Sequence, residues 1–162
     1  MGNDERTAED VDEATVEIDA DPRAVWTLVT DITRMGEWSP EARGGRWLGA
    51  RGPAVGARFV GFNRHGLVWW VTRCTVVECD EPNRFAFRVA ESGMTWGWRL
   101  DPAEGGRTRV TQWRDHTAST SVLIKAVQRS GILGRDREHL MVDGMHRTLG
   151  ALKTHLEGAR AA

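Results

Sequence analysis

The sequence contains no tyrosine among its 162 residues, so no phenol is available as an acid, a base or a buried hydrogen-bonding ring. Cysteine is scarce: only Cys74 and Cys79 occur, five positions apart in a strand-like run. At that spacing they stand ~16 Å from each other, beyond disulfide reach, and they read as reduced thiols of a cytoplasmic protein. The five histidines form no His-Glu-x-x-His spacing and there is no Cys-x-x-Cys, so structural zinc is not expected. No Gly-x-Gly-x-x-Gly follows a strand, which leaves no nucleotide cofactor implied. Ser39 and Ser92 lack the Gly-x-Ser-x-Gly setting of a hydrolase nucleophile. No run of 18 apolar residues exists, so no membrane-spanning helix is expected. The acidic opening segment has no apolar stretch of the kind a secretory signal needs. Met1-Gly2 looks like a myristoylation start, but Arg6 stands where that motif needs a hydroxyl. An excess of one charge is also missing: 22 basic and 23 acidic side chains nearly cancel, and the basic surplus of a nucleic-acid binder is absent.

What is present is tryptophan, eight residues of it, in a chain long enough for one domain that buries about 70% of its unfolded surface. Residues 1–13 are too acidic and too poor in apolar side chains to bury anything, and read as a disordered tail; the domain is expected over 14–158. Val16 and Ile18 alternate with polar neighbours as in a strand. Asp21-Pro22 is an N-cap with proline at the first helical position, and Val25, Trp26, Leu28, Val29 and Ile32 follow at helical spacing. A second short helical turn fits before Ser39-Pro40.

From about 43 to 116 the pattern is strand after strand. His65-Gly66 is a plausible two-residue turn. It would oppose Phe62 to Trp69, Val60 to Val71, Gly61 to Trp70 and Phe59 to Thr72. Alternation then puts Arg58, Arg64 and Arg73 outside and Phe59, Trp70, Thr72, Cys74 and Val76 inside. A Ser92-Gly93 turn would oppose Phe85 to Leu100, Phe87 to Trp98 and Val89 to Trp96, with Arg84, Arg88, Thr95 and Arg99 on the other side. Val110 and Gln112 continue the inner face in the next strand, and Gly44-Gly45 and Gly105-Gly106 read as turns. Beyond His116 a polar connector leads to a short helix over 122–127, then to a longer one over 135–156. In the longer helix Val142, Met145, Leu149, Leu152 and Leu156 make one apolar stripe.

The predicted inner face is rich in rings: Phe59, Trp70, Phe87, Trp96 and Trp98, with Trp38 nearby. Either they line a pocket with a few polar anchors or they fill the core. Asn63, Thr72 and Gln112 share that face, and Arg114 and His116 stand near its end. Each needs a partner, a water or a ligand, because a buried polar group left unpaired costs about 1–3 kcal/mol. His116 is the one weak candidate for a general base. His139, Asp143 and His146 share a helix face, which a solvated surface explains as well as a metal site does. On the outer face Val60, Phe62, Trp69 and Val71 form an apolar patch edged by arginine. A patch of that kind points to association, in the simplest case a homodimer, unless another segment covers it.

Certain residues also carry a family likeness. They are Val16-Glu17-Ile18 with Ala20-Asp21-Pro22-Arg23-Ala24-Val25-Trp26, Asp31, Glu37-Trp38-Ser39-Pro40, Gly56-Ala57-Arg58-Phe59, Trp70 and Val77-Glu78. Further on they are Pro82 with Arg84-Phe85-Ala86-Phe87, Thr108-Arg109-Val110-Thr111, and Met145, Leu149 and Leu152. Over about 14–156 the chain resembles the START-like helix-grip superfamily, also called SRPBCC, and within it the bacterial polyketide cyclase/dehydrase and lipid transport branch. The resemblance implies an α+β fold: about seven antiparallel strands curved around a long C-terminal helix, with two short helices after the first strand. It implies a hydrophobic, lipid- or polyketide-like small molecule bound between sheet and helix. Trp38, Phe59, Asn63, Trp70, Thr72, Phe87, Trp96, Trp98, Gln112 and Met145 would be the ligand-binding set. A cyclase/dehydratase-type enzyme acting on such a ligand is the first alternative, with His116, Arg114, Asn63 or Gln112 as its reacting group. A protein-interaction module using the outer sheet face is the second.

Overall fold

The computed structural model describes residues 11–49, 52–116 and 134–160, and in the last helix the side chains of 142–159. Seven strands form one antiparallel sheet: β1 (Val11–Ile18), β2 (Ala42–Leu48), β3 (Arg58–His65), β4 (Val68–Asp80), β5 (Arg84–Val89), β6 (Thr95–Ala103) and β7 (Arg107–Asp115). Their order across the sheet is β1-β7-β6-β5-β4-β3-β2. β2 to β7 thus form an unbroken meander, and β1 closes against β7 at the far edge. Helix α1 (Pro22–Thr30) and a 3-10 helix (Ile32–Glu37) connect β1 to β2, and α2 (Gly134–Arg160) follows β7. The sheet curves so that one face looks at α2, which packs on β1 and β7.

Local chemistry accounts for these elements. Asp21 caps α1 by accepting a 2.8 Å hydrogen bond from the Arg23 amide, with Pro22 at the first helical position. Asp31 caps the 3-10 helix through the Thr33 amide and hydroxyl. The apolar face of α1 is buried, and Trp26 meets Phe85 edge-on at 6.1 Å. Met145, Leu149, Leu152 and Leu156 of α2 are buried with Ile18, Leu100 and Val110, while Val142 is half-buried. The short helix expected over 122–127 lies outside the described residues.

The faces of the strands agree with the sequence pattern, but the registers do not. In the β3–β4 hairpin the turn is Gly66-Leu67, one residue later than expected. Phe62 opposes Val71, Asn63 opposes Trp70, Gly61 opposes Thr72 and Phe59 opposes Cys74. Gly66 has φ +59°, so it occupies the first central position of the turn, where a two-residue hairpin needs the left-handed conformation. In the β5–β6 hairpin a four-residue loop over 90–93 replaces the two-residue turn, closed by the Val89 amide on the Met94 carbonyl. Phe85 therefore opposes Trp98, and Phe87 opposes Trp96. Both shifts equal two residues across the pair, so every side chain keeps its face.

Three further features depart from a plain strand pattern. Gly44-Gly45 is not a turn; it lies within β2, where the register slips between Ala42 and Gly44. A Cβ on Gly44 would come within 2.8 Å of the Thr33 carbonyl, so the bare backbone lets the 3-10 helix press onto the strand. β1 starts at Val11, three residues before the expected domain boundary, and residues 11–13 pair with β7. A β-bulge at Val77 makes β4 skip one residue against β5, which returns Cys79 to the inner side opposite Phe85.

Candidate functional site

The inner face divides along the sheet. Toward the end where β1 leads into α1, it is aliphatic and sealed: Ile18, Val110 and Leu100 lie under α1 and α2 with no exposed ring. Toward the other end, where the β3–β4 turn, the 90–93 loop and the end of β7 come together, the face turns aromatic and polar. Phe85, Phe87, Trp96 and Trp98 sit side by side on β5 and β6. Trp98 adjoins Gln112 of β7, and Trp96 adjoins Arg114. On β4 and β3, the next two strands beyond β5, Asn63 is paired with Trp70 and lies beside Thr72.

The rings fall into two groups by burial. Phe59, Phe85, Phe87 and Trp98 are buried and belong to the core. Phe59 and Phe87 stack edge-on at 5.1 Å. Trp70 is 37% exposed and Trp96 half-buried, although both stand on the face that looks at the helix. Trp38 departs from the expected lining: it is buried between the Arg34 guanidinium, 5.7 Å from its ring centre, and His155 of α2, and so fastens the helix to the 3-10 segment. Met145 is fully buried in the α2 stripe.

The polar side chains also separate. Asn63 Nδ2 donates to Thr72 Oγ1 at 3.3 Å, and Thr72 Oγ1 donates to the Gly61 carbonyl at 3.4 Å, so this pair is satisfied within the sheet. Gly61 leaves the room for that arrangement, since a Cβ there would stand 2.8 Å from Thr72 Oγ1. The Cys74 thiol points toward the same hydroxyl. Burial pushes its pKa up to about 12, only partly offset by the Thr72 contact, so it stays protonated and is no nucleophile. Gln112 is buried, and its Oε1 has no hydrogen-bond partner.

Arg114, buried on the same strand, donates through Nε (3.0 Å) and Nη2 to Asp12 Oδ2. Its guanidinium lies over the Trp96 ring, 5.6 Å from the centre. His116 Nε2 is 3.7 Å from the same Asp12 oxygen. Asp12 is the residue sequence reasoning missed. The alternation Asp12, Ala14, Val16, Ile18 continues the inner face of β1 and would have placed Asp12 on that face, where it opposes Arg114. Among the described residues no group of three or more His, Cys, Asp or Glu is arranged to hold a metal. His139, one third of the helix-face cluster noted in the sequence, has no described side chain.

A curved seven-stranded sheet with a long C-terminal helix is a shared architecture, and a family model described as polyketide cyclase/dehydrase and lipid transport matches residues 12–157. The chain belongs to this family. A polyketide-cyclase-like protein from Corynebacterium glutamicum, solved in solution, is 31% identical, with 91% of each chain covered and a TM-score of 0.67. A START superfamily protein from Mycobacterium smegmatis shares the fold at TM-score 0.70 and 17% identity, over 92% of this chain and 98% of that one. A protein from Nitrosomonas europaea does so at 0.71 and 19%, over 96% and 99%. No curated protein matches the chain. The family's description includes lipid transport, and among the described residues of this member no helix is long and apolar enough to cross a membrane.

Proposed function

We propose that the protein binds a hydrophobic small molecule between the inner face of the sheet and α2. One observation carries the reading. Trp70 faces the helix side of the sheet yet keeps 37% of its surface accessible, whereas Phe59, Phe85 and Trp98 on the same face are packed away. An indole that stays accessible on a concave face is not filling a core; it is wall. Half-buried Trp96 extends that wall beside buried Phe87, its cross-strand partner. Asn63, Thr72 and Gln112 supply the sparse polar groups, and Met145 of α2 the facing apolar one. The two free thiols fit a reducing compartment, and we assign the protein to the cytoplasm. Titration with the neutral dye N-phenyl-1-naphthylamine should quench tryptophan emission saturably. Trp70→Ala and Trp96→Ala should each weaken binding roughly five-fold, the loss of about 1 kcal/mol of ring contact. Absence of a saturable signal in the wild-type protein would reject the reading.

A second reading concerns the outer face, where Phe62 and Val71 oppose each other beside Trp69. All three are exposed, Trp69 by 61% of its surface. Arg64 lies over one side of the Trp69 ring, 5.2 Å from its centre, and leaves the other free. A flat apolar centre with an arginine rim is interface anatomy, and a second copy of the chain, related by a two-fold axis, is the occupant we assign to it.

A further inference from the structure

We infer that the molecule held on the inner face is uncharged and presents an O–H or N–H donor to Gln112. This rests on the ligand-binding reading and adds the chemistry that reading leaves open. Gln112 sits in the middle of β7, flanked on the helix-facing side by Ala14 of β1 and Trp98 of β6. Its side chain is nine-tenths buried, and Oε1 is the only buried side-chain nitrogen or oxygen among the described residues that lacks a partner.

The other polar groups of this face are matched. Asn63 and Thr72 bond to each other and to the backbone, and Thr108 donates to the Ala20 carbonyl at 2.7 Å. Against that background an amide oxygen buried beside an indole and given no donor is anomalous, because an unmade hydrogen bond is costlier than a made one is favourable. Ala14 supplies only a methyl on one side, and no hydrogen bond from the Trp98 indole on the other reaches Oε1. An acceptor in that position is completed by a donor brought from outside the chain.

The charge of the visitor follows from Arg114, two residues along the same strand. A buried guanidinium would ordinarily draw a carboxylate or a phosphate. Here Nε and Nη2 both go to Asp12 Oδ2, and the plane is covered by Trp96. The positive charge is thus neutralised by the chain itself. A carboxylate meeting Oε1 would set lone pairs against lone pairs and would have to displace Asp12 to gain an ion pair. A neutral hydroxyl meets neither obstacle.

Three probes of one shape separate these outcomes at pH 7: 2-naphthol, 2-methylnaphthalene and 2-naphthoate, each titrated against wild type and Gln112→Leu by tryptophan quenching. Gln112→Met serves as a second variant of similar volume should the first fail to fold. The ratio of naphthol affinity to methylnaphthalene affinity should be at least five-fold higher in the wild type than in the variant, as a net hydrogen bond in a desolvated site implies. Naphthoate should bind wild type more weakly than naphthol. A smaller change in the ratio, or naphthoate binding as tightly as naphthol or more so, overturns the inference while leaving a hydrophobic site intact. If none of the three binds, the ligand-binding reading falls and this inference falls with it.

Discussion

At the scale of single residues, tryptophan serves several unrelated purposes in this chain. Trp26 and Trp98 are core, Trp38 joins the 3-10 helix to α2, Trp70 and Trp96 face the candidate site, and Trp69 stands on the opposite surface. Trp113 shows how closely one of them can be fitted. It lies across the strand from Gly97, and a Cβ built on that glycine would overlap the indole ring. A ring laid over a strand glycine covers backbone that would otherwise be poorly packed. Gly97→Ala should therefore destabilise by roughly 1–3 kcal/mol through overpacking, measurable as a lower midpoint in urea at unchanged slope. If the ring is the obstacle, the double variant with Trp113→Ala should lose less than the two single losses added together. Additive losses would mean that Gly97 is required by its backbone alone.

At the scale of elements, α1 and α2 were legible in detail and the strands only in part. The Asp21-Pro22 cap and the stripe from Met145 to Leu156 are local signals, complete within a turn or two of chain, and the structure keeps both. Strand faces were legible for the same reason, since alternation is local. Register is not, because it depends on which residues the turn consumes. Moving the turn from His65-Gly66 to Gly66-Leu67, or from two residues to four over 90–93, changes every cross-strand partner and no face. The inner face was therefore identifiable as a face, while neighbour relations within it, Gln112 beside Trp98 and Asn63 beside Trp70, were not. Asp12 was lost because an acidic segment was read by composition when its alternation continued that of β1. The α2 stripe also allows a graded test. Leu149→Ala removes a fully buried side chain and should cost about 2–5 kcal/mol, and Val142→Ala, at a half-buried site, clearly less. Equal losses in urea denaturation would mean that α2 does not seat on the sheet through its middle turns.

At the scale of the whole molecule, the sheet has two different faces to satisfy. The inner one is divided between packed aliphatic side chains and accessible rings. Much of the outer one is held by charge, with Arg107 and Arg109 both reaching Glu17 and Arg73 reaching Glu91. The β3–β4 hairpin departs from that scheme: Phe62, Trp69 and Val71 are exposed on its outer side, and Leu67 at its turn is 91% exposed. Burying these side chains between two copies would remove apolar surface of the extent that marks interaction sites. In sedimentation equilibrium the wild-type protein should populate a dimer at micromolar concentration and Trp69→Lys should run as a monomer. Two monomers, or two dimers, would remove this face from the account.

The bulge at Val77 bears on which changes in chain length the protein can survive. It is a phase shift of one residue written into β4: before it the even-numbered side chains look inward, after it the odd-numbered ones do. Deleting Val77 would leave a plainly alternating strand with the same partners, Val76 on Phe87, Glu78 on Ala86 and Cys79 on Phe85, whereas keeping the residue and flattening the bulge would turn Glu78 into the core and Cys79 to water. A one-residue insertion or deletion elsewhere in the strand would be tolerated only if paired with a second that restores the count. Substitutions in β4 can thus accumulate singly, whereas length changes away from the bulge must come in compensating pairs or move out to the loops.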